Sequence, residues 1–557
     1  MYKIDLQPAS QDIWGKKYQL KDKRENPVDT SVDDTLKRVA KALSSNEERG
    51  EYWYKKFLWA MENGAFPAGR ILANAGAGKY KPATSTINCT VSPVILDSME
   101  SILQSNKLAG QTLKAGCGIG YEFSTLRPKG SFVGGSGSST SGPLPFMDIY
   151  DVMCKTISSA GDRRGAQMAT FDVSHPDVFD FIKAKREDGR LRQFNLSCLI
   201  TKDFMQAVKE DATWDLYFPL LKGEGDKGDF KTVYKKVANA GLHGYPVNKD
   251  GLTECRVYKT IKAKALWNVI MSSTFDYAEP GFILIDEVNR QNNNWFCEDI
   301  RATNPCGEVP LPPYGSCLLG SVNLTRFVLH PFTSKACFDY ALFEKVVAVF
   351  TRMLDNVVEV NGLPLVQQRK EIIAKRRHGM GYLGLGSALT MMGVRYGSEE
   401  SIAFTEAVSS VLAIVGFEEG VKLAKEKGCA PILANKWKLT PEIKRGLVER
   451  GAEHVFASNK VEVRGLELWV ESHYMQSLIA SLGKRGEKLK ANLLKYGCRF
   501  THHTAIAPTG TIALSLGNNA SNGIEPSYAH EYSRNIIREG QKAKEKVSVR
   551  SYELMLY

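Results

Sequence analysis

The chain has 557 residues and an ordinary apolar fraction of 43%, which calls for a full core in one large fold or in about two to four domains. It opens Met-Tyr-Lys-Ile-Asp-Leu-Gln-Pro and holds no unbroken stretch of about 18 apolar residues, so neither a signal peptide nor a membrane span is expected. The net charge of +12 suits a phosphorylated ligand or simply a solvated basic surface, and no nucleic-acid motif or basic–aromatic interleaving speaks for DNA or RNA. Eleven scattered cysteines do not form a secreted disulfide framework. They point to a reducing cytoplasm, and the absence of CxxC spacing argues against a structural metal.

Residues 1 to about 65 alternate charge with apolar residues at helical spacing. Val39, Ala40 and Leu43, then Trp53, Phe57, Leu58 and Met61, mark two amphipathic helices, ended by Gly64-Ala-Phe-Pro-Ala-Gly. Asp97-Ser98 then caps a helix with Met99, Ile102, Leu103 and Leu113 on one side, and Pro143 opens another with Met147, Tyr150, Met153 and Ile157. Between them lies the glycine- and serine-rich stretch 130–142, expected to be a loop without regular structure. Asp162-Arg-Arg-Gly-Ala-Gln167 follows; its adjacent Arg163 and Arg164 suit phosphate, a base edge or plain solvation at a helix end.

Further on, short apolar runs alternate with helical patterns. Phe282-Ile-Leu-Ile reads as a strand, and 342–360 and 402–423 read as helices, which argues for an α/β fold. Gly379-Met-Gly-Tyr-Leu-Gly384 has the spacing of a dinucleotide-binding turn. A charged, helix-like segment precedes it where a buried strand is required, so close packing of a helix is expected instead. In Ala507-Pro-Thr-Gly-Thr, Pro508 to Thr511 open a helix, either as an ordinary cap or as a phosphate cradle. The chain closes on apolar residues through Tyr557, which implies a surface to be covered or a short docked helix.

Asn304-Pro-Cys-Gly-Glu308 is the most informative stretch, with Cys317 eleven positions after Cys306. Pro305 and Gly307 disfavour a regular helix, so an amide, a thiol and a carboxylate share one tight loop. An amide holds a hydroxyl, a carboxylate takes its proton, and a thiol does redox or radical work. Cys89, in Thr-Ile-Asn-Cys-Thr-Val-Ser-Pro, reads by itself as a buried small residue.

In order and spacing these segments resemble the catalytic subunit of ribonucleotide reductase, nearest to its adenosylcobalamin-dependent class II form. The resemblance rests on Phe66-Pro-Ala-Gly-Arg, Cys89 with Asp97-Ser-Met-Glu-Ser, Gly118-Ile-Gly-Tyr-Glu-Phe-Ser-Thr-Leu-Arg-Pro, Arg163-Arg-Gly-Ala, Asn304-Pro-Cys-Gly-Glu, Ala507-Pro-Thr-Gly-Thr and Gly523-Ile-Glu-Pro. It implies a ten-stranded α/β barrel over residues 81–557, behind a helical domain over 1–80 that is too short for an ATP cone. Cys306 is implied to carry a thiyl radical, Glu308 to take the 3′-hydroxyl proton and Asn304 to orient the ribose. Cys89 and Cys317 are implied to be the reducing pair, and Pro508, Thr509, Gly510 and Thr511 to hold the substrate phosphates.

Asp97, the 130–142 loop and Asp162, Arg163 and Arg164 match the family's site for a deoxynucleoside triphosphate effector. That site lies at a homodimer interface formed by the two flanking helices. A thioredoxin- or glutaredoxin-type reductant is implied as well. Relatives continue well beyond this chain's end, so the resemblance implies an incomplete barrel and a complementing C-terminal chain. The alternatives are a class I subunit fed by a metal-containing radical subunit, and a nucleotide-binding fragment inactive without its partner.

Overall fold

The computed structural model describes residues 4–157, 165–186, 189–221, 230–457, 460–537 and 544–557. The chain divides into two compact units, one formed by Met1–Asn88 with Cys317–Tyr557 and the other by Cys89–Ser316. Strands and helices share both units, as the α/β reading expects.

The Cys89–Ser316 unit is built on five parallel strands in the order Cys89–Val91, Gly118–Glu122, Gln167–Asp172, Phe194–Ile200 and Gly281–Leu284. The middle strands are buried along almost their whole length, as strands covered on both faces are. Helices Met99–Lys114 and Pro143–Thr156 make the crossovers. Ser98 caps the first by accepting from the Ser101 amide at 3.2 Å, as its sequence signals. Tyr121, Phe123 and Tyr150 meet edge-to-face in the core beneath.

One expectation changes here, that for the 130–142 stretch. Ile102 and Leu113 are buried, but Met99 and Leu103 are 58% and 48% exposed, so the helix has a second apolar face turned outward. The 130–142 stretch is not without regular structure: Phe132 pairs with Ser139 and Val133 with Ser138 in a small hairpin. Asp162, Arg163 and Arg164 lie outside the described residues.

In the other unit the N-terminal helices form as their periodicity predicts, over Val32–Ser44 and Gly50–Glu62, after a first helix at Pro8–Lys17. A reciprocal cap opens the second, with the Asp34 amide donating to Ser31 Oγ at 3.2 Å and the Ser31 amide to Asp34 Oδ2 at 3.0 Å. They dock on helix Tyr340–Val357, where Asn356 Nδ2 donates to the Leu43 carbonyl at 3.0 Å. Arg352 there holds Glu47 at 3.2 Å and Glu426 at 2.7 Å.

Helix Glu399–Lys427 is, by length and average composition, apolar enough to cross a membrane, a property that inspection for unbroken apolar runs misses. Val408, Leu412, Phe417 and Leu423 along it are buried in this unit, and Glu419 is 3.4 Å from Arg352, so it is built in as a core helix. The apolar chain end forms a docked helix, Tyr552–Leu556, with Tyr552 and Glu553 buried.

The Gly379 to Gly384 segment is a buried strand, His378–Leu383, rather than a helix. It runs parallel to Ser316–Asn323, with Leu318 opposite His378. Its glycines serve close backbone approach. A Cβ on Gly381 would overlap the Ala505 carbonyl, and one on Gly379 would stand 2.6 Å from Cys317 Sγ.

Candidate active site in the 304–308 loop

Strands Ala302–Thr303 and Pro310–Leu311 pair antiparallel, Ala302 with Leu311 and Thr303 with Pro310, and carry the Asn304–Glu308 loop between them. The turn is closed by the Gly307 amide donating to the Asn304 carbonyl at 3.0 Å. The Val309 amide donates to Asn304 Oδ1 at 2.9 Å. Gly307 sits at φ +87°, a left-handed conformation that glycine adopts without a Cβ penalty. The asparagine is thus part of the turn as well as part of the site.

The hairpin lies on the parallel sheet at glycines. A Cβ on Gly120 would overlap the Thr303 carbonyl, and one on Gly118 would stand 2.8 Å from Pro305 Cγ. Hydrogen bonds complete the docking: Thr170 Oγ1 donates to the Arg301 carbonyl at 2.7 Å and Asn195 Nδ2 to the Pro305 carbonyl at 2.6 Å. The Arg301 side chain reaches the ends of two strands, with Nη2 at 2.7 Å from Glu122 Oε1 and 2.8 Å from Asp172 Oδ2. Sequence reading missed Arg301 and Thr170. The Gly118-x-Gly120 spacing was the available signal, since alternate glycines on one face of a strand mark a close neighbour.

Asn304 is fully buried, and its amide bonds two of the other expected residues. Nδ2 donates to Glu308 Oε2 at 2.6 Å and to Cys89 Sγ at 3.3 Å, while Oδ1 accepts from Thr303 Oγ1 at 3.1 Å. Burial raises the Glu308 carboxyl above its usual range, and the hydrogen bond from Asn304 opposes that rise. Cys89 is buried, whereas Cys306 is exposed at the loop tip. The arrangement is a half-desolvated carboxylate held by a buried amide, with one thiol beneath and one at the open end. Such a set can orient a diol, accept its proton and exchange hydrogen with sulfur.

Cys317 is fully buried in the other unit, at the start of the Ser316–Asn323 strand. Pro508, Gly510 and Thr511 are exposed at the mouth of a five-residue helix, Gly510–Leu514. Thr509 does not cap that helix with its side chain. Its Oγ1 accepts from the Gly523 amide at 2.8 Å, which joins two of the motifs singled out in the sequence. Asp97 is held by Arg127, with Nε 2.7 Å from Oδ2 and the Arg127 amide 3.1 Å from Oδ1.

A family model described as ribonucleotide reductase, barrel domain, matches residues 87–553, and one described as ribonucleotide reductase, all-alpha domain, matches residues 4–80. A vitamin B12-dependent ribonucleoside-diphosphate reductase of Mycobacterium tuberculosis is 29% identical over 96% of this chain and 64% of its own length. One of Thermoplasma acidophilum is 29% identical over 93% of this chain and 55% of its own. The ribonucleoside-diphosphate reductase subunit alpha of Chlamydia muridarum is 25% identical over 88% of this chain and 45% of its own. The chain therefore spans less than two thirds of the length of these relatives.

Proposed function

The chain belongs to the ribonucleotide reductase family, and on that premise we propose that it reduces ribonucleotides to 2′-deoxyribonucleotides by thiyl-radical chemistry at the 304–308 loop. The observation that carries this reading is the single buried amide, Asn304, bonded to both Glu308 and Cys89. Cys306 as thiyl takes the 3′ hydrogen atom. Glu308 accepts the 3′-hydroxyl proton, and its raised affinity for protons suits a base working near neutral pH. Asn304 holds the ribose hydroxyls while the 2′-hydroxyl leaves as water.

Two electrons and two protons come from Cys89 and Cys317, which end as a disulfide. Cys306 then recovers its hydrogen from the 3′ position. A dithiol protein of the thioredoxin or glutaredoxin kind restores the pair. Pro508 to Thr511 hold the substrate phosphates on exposed backbone at the head of a helix, where N–H groups lack intrahelical partners. Diphosphate and triphosphate substrates both remain within this reading.

The relatives named for vitamin B12 support a cobalamin cofactor, and we assign its adenosyl form. The exposed position of Cys306 fits a radical source that arrives from outside the loop, and Cys306 is the residue it would meet. Adenosylcobalamin, when bound, supplies a carbon-centred radical by cleavage of its cobalt–carbon bond.

A deoxynucleoside triphosphate effector is assigned to Asp97 and the neighbouring hairpin. A homodimer contact is assigned to the outer faces of the two crossover helices, which expose Met99, Leu103, Ile149 and Val152. We take residues 1–80 as the helical lobe, 81–557 as the catalytic part and the cytoplasm as the compartment.

The test is Cys306→Ser in the reductase assay with adenosylcobalamin, dithiothreitol and effector, in whatever assembly supports turnover. Loss of deoxynucleotide formation with nucleotide binding retained is expected; a serine variant that still turns over would overturn the assignment.

A further inference from the structure

Arg301 also forms one wall of a cavity of about 90 Å³ at the carboxyl ends of the Gly118–Glu122 and Gln167–Asp172 strands. Ligands of parallel α/β sheets gather at this end, where the departing loops converge. The cavity lies wholly within the Cys89–Ser316 unit and shares no lining residue with the 304–308 loop or the Asp97–Arg127 pair. A narrower crevice adjoins it through Glu122, Thr125 and Arg301.

Two features point to an occupant. The rings of His243 and Tyr245 stack at 5.3 Å and 9°, with Phe218 edge-on to Tyr245 at 6.5 Å, and give the cavity a flat aromatic wall. On the lining, Thr125 Oγ1 and His243 Nδ1 are buried atoms with no hydrogen-bond partner among the described residues. Buried polar atoms are ordinarily satisfied, so two orphans on residues that line one cavity mark places for a partner.

Charge selects the class of ligand. Glu122 and Asp172 are balanced by Arg301 and Lys236. Burial keeps the two imidazoles, His175 and His243, in the neutral form near pH 7. A lining without net charge favours neither phosphate nor ammonium. Glu122 Oε1 already accepts from Arg301 and Ser124, which leaves its second oxygen as an acceptor on the same lining as Thr125 and His243. Acceptor and donor on one lining suit an amide-like edge. An enclosed cavity of about 150 Å³ accepts benzene; this one is smaller and open to solvent on one side, so a single ring enters edge-first.

We propose that this cavity binds a neutral six-membered heterocycle with an amide-like edge, as carried by a pyrimidine nucleoside or by nicotinamide. The ring lies along Tyr245, and its edge pairs with Thr125, His243 and Glu122. The proposal does not rest on the reductase reading, because binding is measured without turnover.

The experiment is calorimetric titration of the full chain with uridine, cytidine and nicotinamide separately, repeated on Thr125→Val and Tyr245→Ala. At least one probe binds, and each substitution weakens it by about tenfold or more, the loss expected when a hydrogen bond or a stacking surface is removed. Which probe binds identifies the source of the ring. Thr125→Val is nearly isosteric, and thermal unfolding of both variants checks that they are folded. Absence of binding by all three, or binding that survives both substitutions, overturns the proposal.

Discussion

Gly120 meets the Thr303 carbonyl so closely that the position admits no side chain. The obstacle is backbone on both sides, so nothing flexible is available to yield. Gly120→Ala must either lift the 302–311 hairpin or distort the sheet. Overpacking of this kind costs about 1–3 kcal/mol. The denaturation midpoint of Gly120→Ala is expected to fall accordingly, with a larger loss of turnover than of stability. Gly78→Ala, which meets nothing within 4 Å and lies outside the proposed sites, serves as the neutral comparison.

Glu308 provides a pH signature. Its carboxyl is raised in the folded state by burial. A raised acid binds its proton more tightly when folded, so stability falls as pH rises through the unfolded value of about 4.3 and on to the folded one. The burial penalty is complete above the folded pKa and absent below the unfolded one. Glu308→Gln should therefore be at least as stable as the parent at pH 8, with the advantage vanishing towards pH 4. Turnover should drop by about 10²–10⁴, the usual contribution of a general base.

The Asn304 side chain is the main group that restrains that rise, with a backbone hydrogen bond beside it. Asn304→Ala removes the larger of the two hydrogen bonds that lower the Glu308 pKa and leaves burial opposed only by a backbone hydrogen bond. The acidic limb of the pH–rate profile should move to higher pH. Losing a partner for a buried acceptor costs about 1–3 kcal/mol, readable by chemical denaturation.

Gly379 makes room for Cys317. An alanine Cβ there would stand 2.6 Å from Cys317 Sγ and 2.5 Å from Leu319 Cδ2. Gly379→Ala should displace the thiol and lower the deoxynucleotide yield of pre-reduced enzyme without added reductant. Radical formation at Cys306 should be unchanged. An unaltered single-turnover yield would remove Cys317 from the reducing pair.

Asp97 is fixed by Arg127 at 2.7 Å. Asp97→Asn weakens that ion pair, and in the active enzyme the choice of base reduced should lose its dependence on deoxynucleoside triphosphates. The coupling at stake is typically about 1–3 kcal/mol. Reduction rates for the four bases, with and without each effector, report it.

The tight 304–308 loop was legible because Pro305 and Gly307 confine an amide, a thiol and a carboxylate to five residues, and local composition alone implies that. The capped helices at Val32–Ser44 and Met99–Lys114 were legible for the same reason: their signals lie within one turn. Long-range features were hidden. The ion pairs of Arg301 with Glu122 and Asp172 join residues more than 120 positions apart, and no local pattern announces them. Helical spacing grouped Met99 and Leu103 with Ile102 and Leu113 but could not tell which of them are buried, because it shows that a face is apolar, not what covers it. The Gly379 segment was assigned to a helix because glycine spacing alone does not separate tight helix packing from a strand pressed against another backbone.

The open position of Cys306 also makes it vulnerable. Of the eleven cysteines, only Cys306 and Cys337 are exposed, while the others are half-buried or buried. A bulky maleimide applied briefly to the folded protein should mark those two first, and oxidants should follow the same order. If Cys306 has the role proposed for it, storage in air extinguishes turnover through sulfenic acid at the loop tip long before the fold is harmed. A preparation that looks intact by every spectroscopic measure could already be chemically spent.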